Sequence, residues 1–317
     1  MKILEVQNLV MYYRTMKGYV KAVDNVTFDV EKGEAMGLVG ESGCGKTTIG
    51  MTILRLLPSN AAIQSGQVVF KGQNLLELPE KEMRTVRWKG ISMIFQAAMN
   101  ALNPVHRIED QIIEAIRTHE KISKEEARER VARLYSRVGL DPERSTDYPH
   151  EYSGGMKQRA VIAMALSCSP DIIIADEPTT ALDVIVQDQI ITEIKRLQQE
   201  LHMTMIYISH DISVIAESCE RIAVMYAGIL AEYAKAVDLF KNSLHPYTQA
   251  LMNSFPSIIG PKKRLIPVPG EPPNLLNPPT GCRFHPRCPV AMDVCKKVVP
   301  EFTEYEDKHW AACHALG

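Results

Sequence analysis

Between a short apolar run and a helix-like pattern the chain places GESGCGKTT, residues 40–48, and this stretch limits what it can become more than any other. Gly40, Gly45, Lys46 and Thr47 fit G-x-x-x-x-G-K-[ST]. Both flanks agree: Ala35–Val39 reads as a buried strand, while Ile49, Ile53, Leu56 and Leu57 recur at helical spacing. Glycines let a loop curl so that successive N–H groups, here those of Glu41, Ser42, Gly43, Cys44, Gly45, Lys46, Thr47 and Thr48, converge on an anion at the positive end of the following helix. Lys46 would reach the β- and γ-phosphates of a nucleotide and the Thr47 hydroxyl would sit on magnesium. The alternative is a glycine-rich turn with a solvated lysine, and the two flanks weigh against it.

The rest of the chain must supply a core for such a loop. At 317 residues it exceeds one typical domain, so a main domain with an appendage, or two domains, is expected. A net charge of -2 with 23% charged residues gives no basic footprint for nucleic acid. No apolar run approaches the roughly 18 residues of a membrane span, and the N-terminus lacks an uninterrupted apolar stretch with a cleavage site, so a cytoplasmic location is expected.

Short β-rich runs alternate with helical patterns, the mark of a mostly parallel sheet covered by helices. DIIIADEP from Asp171 and MTMIYISHD from Met203 read as buried strands, with LDVIVQDQIITEIKRLQQEL as the crossover helix between them. Residues 100–165 are helical instead: SKEEARERVARLYSRVGL opens with Ser123 and Glu126 in capping-box spacing, and a second helix runs through GGMKQRAVIAMALS. This predicts a helical subdomain, residues 97–165, inserted into an α/β core.

Hydrolysis needs a metal ligand and a group that positions water. Asp176 and Glu177 follow a buried strand directly and project in different directions, so Asp176 can hold magnesium while Glu177 polarises the attacking water. A surface turn is the competing reading of the same residues, and the loop upstream disfavours it. In YSGGMKQRA, Ser153 is a good helix N-cap and Gly154 and Gly155 expose N–H groups at the helix start, which makes a second anion site.

By that stretch the chain resembles the ATP-binding cassette ATPases, over its first 240 or so residues. Their signature, usually LSGGQ, stands here as Tyr152-Ser153-Gly154-Gly155-Met156, with Tyr and Met replacing the usual Leu and Gln. By resemblance Tyr13 matches the aromatic that stacks on adenine, Gln96 the Q-loop glutamine and a magnesium ligand, Asp183 the D-loop, and His210 the switch histidine that holds the γ-phosphate. FQAAMNALNP lacks the Asp-Pro often found after the Q-loop, in the region that faces the coupling segment of transporters. The resemblance implies a P-loop (RecA-like) α/β core with an N-terminal antiparallel β subdomain. It also implies a head-to-tail pair in which Ser153, Gly154 and Gly155 contact the γ-phosphate bound by the other cassette.

Beyond residue 240 the texture changes, giving an expected boundary between a cassette, 1–240, and an extension, 241–317. Nine of the 19 prolines fall between Pro261 and Pro289, which predicts an extended, irregular tail held by something other than a hydrophobic core. Cys44, Cys168 and Cys219 are scattered as small buried thiols, but Cys282, Cys288, Cys295 and Cys313 crowd the end as C-x5-C-x6-C-x17-C. Four thiolates on irregular backbone can bind zinc or an iron–sulfur cluster, and His285, His309 and His314 would be alternative ligands for zinc. LHPYTQALMNSFPS and the cysteine-bearing stretch resemble the C-terminal extension of the oligopeptide, dipeptide and nickel branch of ABC importers. That resemblance implies a [4Fe-4S] cluster over zinc. It implies an ATPase at the cytoplasmic face of the membrane working with two permeases, an external substrate-binding protein and a second ATPase, identical or similar. Oligosaccharide or nickel import is an alternative within the branch. A soluble ABC protein acting on nucleic acid, or a redox protein regulated by ATP, is a more distant one.

Overall fold

The computed structural model describes residues 1–96, 101–180, 182–254 and 268–316. The segment after Gln96, where the Asp-Pro is missing and where the expected helical insertion starts, lies partly outside them, as do Pro261 and Pro267 of the tail. The chain divides into two compact units, residues 1–77 with 207–317 and residues 78–206.

In the first unit β1 (Lys2–Thr15) and β2 (Gly18–Glu31) form a long antiparallel pair, and the buried β3 (Ala35–Val39) leads into α1 (Lys46–Ile53). β4 (Ala61–Phe70) pairs antiparallel with β1, and the short β5 (Gln73–Asn74) completes a four-stranded sheet in the order β2-β1-β4-β5. Val6, Leu9, Val26, Phe28 and Val68 line its buried side. The helix after the phosphate loop is shorter than its apolar spacing suggests. Arg55 takes a positive φ of 52° and Pro58 follows, so Leu56 and Leu57 lie past the helix end and Leu56 is exposed.

The second unit holds α2 (Glu80–Val86), β6 (Ile91–Ile94), α3 (Ile108–His119), α4 (Lys124–Arg137), α5 (Gly154–Leu166), β7 (Ile172–Asp176) and α6 (Val184–Leu201). β6 and β7 run parallel with Ile91 opposite Ile172. α4 begins as its sequence predicts: the Ser123 hydroxyl accepts the Glu126 N–H and the Glu126 carboxylate accepts the Ser123 N–H. Tyr135, Val131, Ile112 and Ile116 form the buried seam of the helices.

β8 (Thr204–Ser209) returns the chain to the first unit, which continues with α7 (Ile212–Ser218), β9 (Arg221–Tyr226), β10 (Ile229–Lys235), α8 (Ala236–Asn242) and α9 (Pro246–Asn253). β9 lies parallel to β3 and antiparallel to β10.

The tail is more ordered than its prolines suggest. Its last residues form a hairpin, β11 (Thr303–Glu306) and β12 (His309–Ala311), and β12 pairs antiparallel with β10, extending the sheet to β11-β12-β10-β9-β3 within this unit. Between the prolines Phe284 is buried against Tyr226 at 5.1 Å and Tyr247 at 5.4 Å between ring centroids. The expectation that no apolar core holds the tail is therefore corrected: an aromatic cluster does, and each such ring contributes about 1.5–3 kcal/mol by burial alone.

Glu232 of β10 ties the tail to this core. Fully buried, it accepts the N–H groups of Leu244 and His245 at 2.7 and 2.8 Å and bonds the His309 ring at 2.7 Å. His245 Nδ1 accepts the Tyr247 N–H at 3.0 Å, which requires an unprotonated nitrogen, and burial pushes its pKa down to about 4. Between that value and the usual 6.5 the unfolded chain holds the extra proton, so stability is complete above pH 6.5 and falls as pH drops toward 4. Denaturant titrations from pH 7 to 4.5 should show that decline, and His245→Asn, which keeps a cap for the Tyr247 N–H, should flatten it; an unchanged slope in the variant would remove His245 as the cause.

Candidate nucleotide site

The predicted phosphate loop is built between β3 and α1 by backbone that only glycine tolerates. Gly40, Gly43 and Gly45 have φ of 149°, 78° and 108°. A Cβ on Gly40 would lie 2.2 Å from the Met225 carbonyl oxygen and one on Gly45 2.1 Å from that of Ala22, so β9 and β2 press directly on the loop. The Gly228 N–H donates to the Cys44 carbonyl at 2.9 Å. Lys46 is buried and donates to the carbonyls of Gly40 at 2.7 Å and Glu41 at 3.1 Å. Ser42, Gly43 and Thr47 are exposed on the open side. Cys44 is buried beneath, its thiol pKa raised by burial despite neighbouring Lys46, so it packs as a small apolar group. Cys168 and Cys219 are buried as well.

Tyr13 of β1 reaches the same place. Its hydroxyl lies 3.2 Å from the Thr48 hydroxyl on the first turn of α1. His210 lies just past the end of β8, exposed, before the α7 N-cap Asp211.

In the second unit Asp176 ends β7 with 1% of its surface exposed, and Glu177 follows with a left-handed φ of 46°. The Gln96 side chain donates to Glu177 Oε2 at 2.8 Å, and the Thr180 hydroxyl donates to the same oxygen at 3.0 Å. Gln96 and Glu177, 81 positions apart in the chain, thus form one pair. Thr180 was not among the residues singled out from the sequence; its position three after Glu177 was the available signal.

Ser153 caps α5, its hydroxyl accepting the Met156 N–H at 3.3 Å, and Gly154 and Gly155 open the helix. Gly155 packs so close to α6 that a Cβ would lie 2.8 Å from Val186 Cγ1. Tyr152, the departure from the usual leucine, is buried; its hydroxyl donates to the Arg144 carbonyl at 2.6 Å and lies 3.1 Å from the Tyr135 hydroxyl. Asp183 caps α6 by accepting the Val186 N–H at 3.0 Å.

Residues 23–180 match the family model described as ABC transporter, and residues 231–295 match the one described as oligopeptide/dipeptide transporter, C-terminal region. The dipeptide transport ATP-binding protein DppD of Bacillus subtilis is 48% identical over 98% of this chain and 94% of its own length. The oligopeptide transport ATP-binding protein OppD of Salmonella typhimurium is 45% identical over 94% of this chain and 89% of its own. This chain belongs to the ABC transporter family. A dimeric ATP-binding cassette solved in a post-hydrolysis state with ADP and Pi superposes with a TM-score of 0.66 at 28% identity, covering 74% of this chain and 98% of that one. The fold is the P-loop ABC ATPase fold with mixed α/β sheets, and the chain is an ATP-hydrolysing subunit of the oligopeptide/dipeptide transporter type. Among the described residues no helix is long and apolar enough to cross a membrane.

The extension of this ABC ATPase carries the four cysteines expected to hold a metal. Among the described residues no group of three or more His, Cys, Asp or Glu side chains is placed to hold a metal ion. The three histidines considered as zinc ligands are engaged elsewhere: His285 Nδ1 with the Cys282 carbonyl at 2.9 Å, His309 with Glu232, and His314 Nε2 with the Val298 carbonyl at 3.0 Å. The four thiols nevertheless lie within electrostatic reach of one another. Burial first, and the other thiols after it, push the Cys282 pKa up to about 11, and those of Cys288 and Cys313 also rise. Each sulfur accepts a backbone N–H: Cys282 from Phe284, Cys288 from Val290, Cys295 from Met292 at 3.5 Å and Cys313 from Ala315 at 3.4 Å.

Proposed function

We propose that this ABC ATPase powers the uptake of dipeptides or oligopeptides. The observation that carries the reading is full-length likeness to dipeptide and oligopeptide transport ATP-binding proteins, extension included. Oligosaccharide or nickel import rests on the branch resemblance alone. In this reading two membrane permeases, an external substrate-binding protein and a second ATPase, identical or similar, complete the importer, and the chain works at the cytoplasmic face of the membrane.

The residue roles follow from chemistry. Of the loop residues 40–48, Glu41 and Cys44 donate their N–H groups to the Tyr247 hydroxyl and the Glu41 carbonyl; the other loop N–H groups bind the phosphates, and Lys46 exchanges the carbonyls of Gly40 and Glu41 for the β- and γ-phosphates. Tyr13 stacks on adenine. A magnesium ion bound with ATP neutralises charge between the phosphates, and Thr47, Gln96 and Asp176 are its proposed ligands. Glu177 accepts the proton of the attacking water, and His210 bonds the γ-phosphate. The Gln96 amide, already on Glu177, holds that carboxylate until it is needed. Ser153, Gly154 and Gly155 contact the γ-phosphate of a partner cassette in a head-to-tail pair, with Asp183 at the junction.

Cys282, Cys288, Cys295 and Cys313 are the proposed ligands of a [4Fe-4S] cluster, with zinc as the alternative. Sulfurs that accept backbone N–H groups suit thiolate ligands, because those bonds favour the charged form. Bound there, the cluster would cross-link the irregular tail.

Two experiments test the reading. Glu177→Gln should leave ATP binding and nucleotide-driven dimerisation intact while phosphate release falls by about a hundredfold or more; near-normal turnover would dismiss Glu177 as the base. Protein purified without oxygen should carry about four irons and four sulfides per chain, whereas one zinc and no iron would assign the thiols to zinc.

A further inference from the structure

Glu41 occupies a position of the phosphate-loop pattern where any residue is allowed, yet three of its groups are held. Arg287, buried in the turn between Cys282 and Cys288, forms a two-pronged ion pair with its carboxylate, Nη1 to Oε2 at 2.7 Å and Nη2 to Oε1 at 2.8 Å. The Glu41 N–H donates to the hydroxyl of Tyr247 at 3.0 Å, and Tyr247 is fully buried in α9. The Glu41 carbonyl accepts from Lys46 Nζ at 3.1 Å.

The holders are themselves fixed. Arg287 Nε donates to the Pro269 carbonyl at 2.6 Å, Nη1 donates to the Tyr226 hydroxyl at 3.2 Å, and the guanidinium lies 5.7 Å from the Tyr226 ring centre. Tyr226 and Tyr247 pack on each other at 4.6 Å and both pack on Phe284. Gly40 and Gly43, with φ of 149° and 78°, flank Glu41 and Ser42, so this is the part of the loop whose own backbone resists movement least. A planar guanidinium in fork geometry on a carboxylate holds direction as well as distance.

We propose that Arg287 and Tyr247 of the C-terminal extension are positioning residues for the phosphate loop, acting through Glu41 to hold it in its nucleotide-binding form. The inference rests on the ATPase reading and deepens it: the extension serves the nucleotide site. A loop held beforehand loses less freedom on binding, so the clamp raises affinity for any ligand bringing a β-phosphate. It leaves the chemistry at the γ-phosphate nearly untouched.

The test uses the full chain, with ATP and ADP as probes in calorimetry and ATP in steady-state hydrolysis. Arg287→Gln and Glu41→Gln should each weaken both nucleotides by about tenfold. In Arg287→Gln, KM for ATP should rise in step while kcat at saturation stays within about threefold. The double variant should be little worse than either single one, because both remove the same pair. Arg287→Lys should recover only part of the loss, since a point charge cannot make the fork. Affinities within twofold of the parent in both single variants, or losses that add in the double, would overturn the proposal. Should Arg287→Gln fail to fold, as circular dichroism and thermal melting would reveal, Glu41→Gln decides alone, because its partly exposed side chain is replaced by one of equal size. A parent protein that binds neither nucleotide would sink the ATPase reading instead, and a parent that binds with unaffected variants sinks only the clamp.

Discussion

Backbone pressed on backbone at the phosphate loop is the constraint on which the first unit depends. The carbonyls of Ala22 and Met225 stand where a Cβ of Gly45 or Gly40 would be, so β2 and β9 can close on the loop only because those two residues have no side chain. That closeness lets Gly228 bond the Cys44 carbonyl and lets Asp24 bond the Gly228 carbonyl at 2.8 Å, joining the loop, β2 and the β9–β10 turn into one block. Arg283 of the extension then bonds both the Asp24 carboxylate and the Ala227 carbonyl from outside. At Gly40 and Gly45 the surroundings leave the loop no room, and a fixed backbone is what an anion site made of N–H dipoles requires.

The extension is bound to this block by three kinds of interaction of different strength. Tilted and edge-on rings at Tyr226, Tyr247 and Phe284 give non-directional burial. The Glu232 network satisfies a carboxylate that would otherwise be costly to bury. The ion pairs of Arg283 and Arg287 are directional and largely shielded from water, where a charge pair counts for more than it does on the surface. A tail rich in proline cannot make a sheet or helix of its own over most of its length, so it relies on such side-chain anchors. Only where the prolines stop does β12 add itself to β10.

In the second unit the pairing of Gln96 with Glu177 gives the proposed base a resting partner. A carboxylate beside a γ-phosphate faces charge repulsion, and amide and hydroxyl donors from Gln96 and Thr180 offset part of that cost. The Ser153 cap and the contact of Gly155 with Val186 similarly keep the start of α5 open, because any larger residue at 155 would push α6 away.

Much of this was legible from residues alone wherever the physics is local. The phosphate loop, the capping box at Ser123, the strand before Asp176 and the helix starting after Ser153 each depend on neighbours within a few positions, so their patterns declare them. The length of α1 was misread because an apolar spacing cannot tell that Arg55 turns left-handed and ends the helix. The tail was misread as coreless because prolines report only what the backbone cannot do, and say nothing of which rings will meet. Likewise the four cysteines suggest a ligand set by composition, but whether thiols meet depends on turns that spacing does not specify, and among the described residues no group of His, Cys, Asp or Glu is placed to hold a metal ion. Glu41 shows the division most plainly. Its place in the loop was evident from the sequence, but its partners Tyr247 and Arg287 lie 206 and 246 positions away, and only the folding of the extension onto β9 brings them within hydrogen-bond reach.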